Sequence, residues 1–101
     1  MSDYWILRGR EIVPAELMEW AKFYETRERF MFNESVGDAK VSTVFLGLDH
    51  GYGDGAPVLF ESMIFGGLHA DSQWRYCTYG EAEAGHKRIV QCLRDGVDPN
   101  A

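Results

Sequence analysis

The stretch that most constrains the fold is Val41-Ser-Thr-Val-Phe-Leu-Gly-Leu48. Its β-branched and aromatic residues suit a pleated surface and lack the period of a helix. Apolar side chains fall on both faces at its middle, which predicts a central strand, running on to His50 and covered on both sides. Such a strand needs neighbours. Arg29–Glu34 alternates, with Phe30 and Phe32 on one side, and Gly37-Asp38 turns it toward Val41 as a hairpin. Downstream, Val58–Phe65 follows the short loop Gly51-Tyr-Gly-Asp-Gly-Ala-Pro57, so it returns antiparallel.

The flanking segments complete an α+β pattern. Tyr4–Leu7 and Glu11–Val13 surround Arg8-Gly9-Arg10 and read as a short hairpin. Pro14 is placed at a first helical position, and Leu17, Trp20, Ala21 and Tyr24 follow the helical period from Ala15 onward. Trp74–Cys77 is a short strand. Thr78 with Glu81 is a capping-box pattern, opening a helix that buries Ala82, His86, Ile89 and Leu93 and pairs Glu83 with Lys87 outside. The predicted order is β-β-α-β-β-β-β-α, an antiparallel sheet with two helices on one face. Residues 1–96 form a single domain that ends at Gly96, and 97–101 a flexible tail.

Charge narrows the function. Ten basic residues stand against sixteen acidic ones, a net −6. Binding a nucleic-acid polymer needs a surplus of Lys and Arg, so DNA and RNA are not expected partners. The two cysteines, Cys77 and Cys92, are too few for a disulfide scaffold and read as reduced thiols. No apolar run approaches the ~20 residues of a membrane span, and the first residues lack the basic start of a signal peptide. A soluble, intracellular protein without a cofactor is expected.

Several side chains invite chemistry. Glu61 alternates with Leu59, Met63 and Phe65, and an acid on an apolar face needs a partner, for which Arg75 in Trp74-Arg75-Tyr76 is the best candidate. Asp49 and His50 end the long strand at the Gly-rich loop, a usual place for binding residues. His86 lies on the apolar stripe of the second helix, where a core histidine bonded to a backbone group is the plain reading. A small hydrolase-like enzyme would require His50, Glu61 and His86 to converge. A metal set of His50, His69, Asp71 and His86 exists in composition, but no ligand spacing supports it. For a nucleotide ligand, Arg75 and the loop amides would hold phosphate while Tyr52 or Trp74 stacks on the base.

The residues Ser42-Thr-Val-Phe-Leu-Gly-Leu-Asp-His50, Gly53-Asp-Gly-Ala-Pro57, Leu59-Phe-Glu-Ser-Met63, Phe65-Gly-Gly67, Asp71, Arg75-Tyr76, Thr78, Glu81-Ala82 and Gly85-His86 form a recognisable pattern. It resembles a family of small uncharacterised proteins encoded by tailed bacteriophages and prophages. Leu17-Met-Glu-Trp20 and Phe23-Tyr24 extend the likeness over most of the chain. Tyr79, Ser62 and Ala56 depart from it, standing where Trp, Thr and Pro are usual. The resemblance implies a phage origin and the cytoplasm of the infected host, and Asp49, His50, Glu61, Arg75 and His86 fall on matching positions. The expected role is an accessory protein that binds a host protein or a small signalling nucleotide in host takeover or anti-defence. The alternative is a virion-associated or structural subunit. A homodimer suits a small domain with sheet edges to spare.

Overall fold

The computed structural model describes residues 3–51 and 55–101. Six strands and two helices follow the order expected: β1 (Tyr4–Arg8), β2 (Glu11–Ala15), α1 (Leu17–Glu25), β3 (Phe30–Val36), β4 (Ala39–Phe45), β5 (Phe60–Phe65), β6 (Gln73–Tyr76) and α2 (Tyr79–Arg94). The protein is an α+β domain with antiparallel strands. They form two sheets rather than one, a β1-β2 ribbon and a four-stranded sheet in the order β3-β4-β5-β6.

The split has a local cause. Gly47, at φ +77°, bends the chain just past β4, and its carbonyl accepts the Trp5 N–H at 3.0 Å while Tyr4 bridges Leu48. The ribbon therefore meets the sheet only at that end. Pro14 lies in β2 opposite Trp5, not at a helix start. Counting outward from the two-residue turn Gly9-Arg10, Trp5 and Pro14 form a pair without ladder hydrogen bonds, so the missing N–H of Pro14 leaves no gap. Helix α1 consequently begins at Leu17. It buries Phe23 edge-on against Phe45, with ring centroids 5.8 Å apart, while Leu17 and Tyr24 of the predicted stripe stay exposed.

β4 is shorter than its sequence suggests, ending at Phe45. It is covered on one face only. Val41, Thr43 and Phe45, with Phe60, Ser62 and Ile64 of β5, are buried beneath α2 and the ribbon. Ser42, Val44, Glu61 and Met63 lie on the opposite face, half-buried, with Phe65 exposed. The apolar residues Val44 and Met63 thus coat an open sheet face, which is why the strand reads as apolar on both sides.

α2 is held at its start by the expected capping box. The Thr78 hydroxyl accepts the Glu81 N–H at 3.1 Å, and the Glu81 carboxylate accepts the Thr78 N–H. Ala82, His86, Ile89 and Val90 are its buried residues. Glu83 turns to Arg10 of the ribbon, at 2.6 Å, instead of pairing with Lys87. The last residues make contacts with the domain: Arg88 donates to the Pro99 carbonyl at 3.0 Å, Asn100 donates to the Ser72 hydroxyl at 3.0 Å, and Pro99 is buried.

Gly47 is the joint of this arrangement. A Cβ there would lie 2.5 Å from the Trp20 indole nitrogen, whereas one at Gly9, also at positive φ, would meet open space. Gly47→Ala is expected to destabilise by roughly 2–4 kcal/mol, combining the left-handed backbone cost with overpacking. Gly9→Ala should lose only about 1–2 kcal/mol. Urea unfolding separates them; equal losses would mean that Trp20 is not seated against Gly47.

Candidate functional site

The sequence candidates do not assemble into one site. Strand alternation sends Glu61 to the open face, where Arg75 pairs with it across β5 and β6, Nε to Oε2 at 3.0 Å. The same alternation turns Trp74 to the α2 side, half-buried with the Arg88 guanidinium 5.7 Å from its ring centroid. Arg75 and Trp74 therefore cannot hold the phosphate and the ring of one ligand. Tyr52 lies outside the described residues. Asp49 accepts the Gly51 and Val58 N–H groups, both at 2.8 Å, and these two bonds hold its carboxyl below the usual carboxylate range. It clasps the base of the loop. His50 is exposed, and its backbone N–H donates to the Val58 carbonyl at 3.0 Å. His50, Glu61 and His86 are thus spread over a loop, an open face and a covered face. Among the described residues, no three His, Cys, Asp or Glu side chains are grouped to hold a metal ion.

His86 has richer surroundings than its sequence position implies. It bonds side chains, not a backbone group. Its Nδ1 lies 2.7 Å from the Thr43 hydroxyl and its Nε2 3.1 Å from Glu34 Oε1. Thr43 lies 2.6 Å from the Ser62 hydroxyl, which accepts from the Tyr76 hydroxyl at 3.1 Å. Arg94 donates to the other Glu34 oxygen at 3.3 Å. One chain of hydrogen bonds therefore crosses all four strands of the sheet under α2.

The proton direction along it follows from donor counting. The Glu34 carboxylate only accepts, so His86 Nε2 carries the proton and donates. Nδ1 of the neutral ring must then accept, so Thr43 donates to it, Ser62 donates to Thr43, and Tyr76 donates to Ser62. Thr43 and Ser62 each give one bond and take one, and Tyr76 gives one. Burial pushes the His86 imidazole below its ordinary pKa, against the pull of Glu34, and raises the Tyr76 hydroxyl.

Thr43, His86 and Glu34 stand in the order nucleophile, base and orienting acid found in hydrolytic triads. Their accessibility decides against that role. Thr43 and Ser62 are 0% exposed and His86 2% exposed, so the hydroxyls meet no substrate. Glu34, Thr43, Ser62 and Tyr76 escape a sequence reading because each is polar in a strand, where a solvent face is the default. The signal that could have found them is His86 itself. A histidine on a buried helical stripe requires two partners, and Thr43 and Ser62 are the inward polar residues of the two central strands.

An accessible concavity lies elsewhere. A groove of about 520 Å³ runs between Leu7, Arg8 and Gly9 of the ribbon and Glu28, Phe30 and Met31 before β3, closed by Tyr79 of α2. Tyr79 is fixed by edge-on contacts with Phe32 and Phe60, and Arg10 lies 4.7 Å over its ring. No residue of this groove stood out in the sequence, because its two walls are some twenty positions apart. Compared with family models, curated proteins and solved structures, the chain matches none.

The buried chain makes stability depend on pH. The unfolded histidine takes up a proton near pH 6.5 and the folded one only at lower pH. The unfolded state therefore binds more protons below pH 6.5, and stability, complete above that value, falls by up to about 1.4 kcal/mol per pH unit until the folded imidazole also titrates. His86→Gln is expected to remove this slope in urea titrations between pH 7 and 5. An unchanged slope would assign it to another group.

Proposed function

We propose that the protein acts by binding, with the groove between Arg8 and Tyr79 as its accessible site. In keeping with its sequence resemblance, it is read as an accessory protein of a tailed phage, occupying a host protein or a small signalling nucleotide in the infected cytoplasm. One observation carries the reading: the hydroxyl and imidazole of the Thr43–His86–Glu34 series are buried in the core, while the open groove offers aromatic rings and the Arg8 guanidinium. Concave sites of this kind bury ligands on apolar walls and orient them with a few polar groups.

A second reading, an oligomeric subunit, is favoured by Leu68. This side chain is 93% exposed beside a smaller groove of about 270 Å³, which Val36, Ala39, Leu93 and Val97 help to line. An exposed leucine next to an apolar groove suits association of copies.

Native mass spectrometry of the protein recovered from infected cells tests both. A retained small molecule or host protein in fixed ratio is the expected result. Homo-oligomers free of any other mass would favour the subunit reading, and bare monomers would contradict both.

A further inference from the structure

We propose that the groove takes a small planar anion of the mononucleotide class, its ring on Phe30 and Tyr79 and its phosphate toward the arginines of the two flanking turns. This deepens the binding reading and rests on it.

The charge distribution is the first support. The chain has ten basic residues, and four of them fall in two three-residue segments, Arg8-Gly9-Arg10 at the ribbon turn and Arg27-Glu28-Arg29 between α1 and β3. Arg8, Gly9 and Glu28 line one groove, and Arg10 and Arg29 lie over the Tyr79 and Phe30 rings that also line it. In a protein of net charge −6 this gathers four of the ten basic groups about one groove, where a compact anion meets them without bringing a long phosphate chain against the acidic remainder.

The arginines are also available. Arg8 pairs with Glu19 at 3.4 Å and Arg10 with Glu83 at 2.6 Å, but the two side chains are 65% and 67% exposed, and such surface pairs exchange readily for a better anion. Arg27 and Arg29 have no ion-pair partner among the described residues. Arg29 is held by stacking, its guanidinium 4.3 Å from both the Tyr24 and Phe30 ring centroids, and its buried Nε has no hydrogen-bond partner among the described residues. A guanidinium fork fixed in this way suits a phosphate, which accepts two parallel N–H bonds.

Size and floor agree. About 520 Å³ lies within the ~300–1,000 Å³ range of small-molecule sites. Phe30 and Tyr79 supply flat rings on which a base can stack. Glu28, the one carboxylate in the lining, repels an anion on its own side and accepts a hydrogen bond from a ring amino group. Bases that carry an exocyclic amine are therefore preferred.

Calorimetric titration with AMP, UMP, adenosine and inorganic phosphate, with amide shift mapping by NMR, tests this. AMP is expected to bind at least about tenfold more tightly than adenosine or phosphate, and more tightly than UMP, with shifts at Gly9, Phe30 and Tyr79. The double variant Arg8→Ala/Arg10→Ala should lose at least about tenfold in AMP affinity while adenosine binding stays within about twofold. Glu28→Gln should narrow the gap between AMP and UMP. Because both arginines are exposed, unfolding midpoints verify that the variant folds, and Arg8→Lys/Arg10→Lys should retain part of the affinity. The proposal is overturned if AMP binds no better than adenosine or phosphate, if shifts map away from the groove, if the double variant binds AMP normally, or if nothing binds at millimolar concentration. In any of these cases, a different mass retained in the native spectra would leave the binding reading standing and reject the ligand class alone.

Discussion

Satisfying one buried histidine organises this protein. His86 is 2% exposed, and both of its ring nitrogens need partners there, because an unpaired polar atom in a core costs about 1–3 kcal/mol. Thr43 and Glu34 meet that need, and Ser62, Tyr76 and Arg94 satisfy them in turn. Register follows from this. A slip of one residue in β4 or β5 would turn Thr43 or Ser62 to the open face and bring Ser42 or Glu61 beneath α2. The apolar pattern alone specifies the faces weakly, since Val44 and Met63 are on the open one. The hydrogen-bonded chain makes the choice between two otherwise similar faces.

Around this joint the two ends of the sheet differ in character. At one end the Gly47 bend lets the ribbon and α1 close over Phe45 and Phe60, bringing the Arg8–Arg10 turn beside the Arg27–Arg29 turn. At the other, Leu68 and Val97 are left exposed near the end of α2. The chemistry available to partners is thus stacking, guanidinium contacts and apolar burial, while the Thr43 and Ser62 hydroxyls and the His86 imidazole face inward.

Much of the fold was legible in the sequence. The Thr78/Glu81 cap, the β3–β4 turn at Gly37-Asp38 and the α2 stripe are local signals, and local geometry satisfies each of them. The pairing of Glu61 with Arg75 was also within reach, because one acid and one arginine stood on strands that had to be neighbours. Pro14 misled because a proline suits a helix start and a non-bonded strand pair equally well, and only the ribbon register distinguishes them. The candidate site was hidden for a related reason. Its walls come from turns whose approach depends on the Gly47 bend, and neither turn carries a motif. Trp74 and Arg75, adjacent in sequence, were separated by the strand's own alternation.

The triad-like series is a hydrogen-bond chain with a neutral imidazole and buried hydroxyls rather than a reactive site. The imidazole nitrogens of His86 report on this directly by isotope-labelled NMR at neutral pH. A neutral ring protonated at Nε2, with Nδ1 as acceptor and an Nε2 proton exchanging slowly with solvent, is the expected result. An imidazolium, the opposite tautomer, or rapid exchange of that proton with water would contradict it and reopen the core hydroxyls to chemistry.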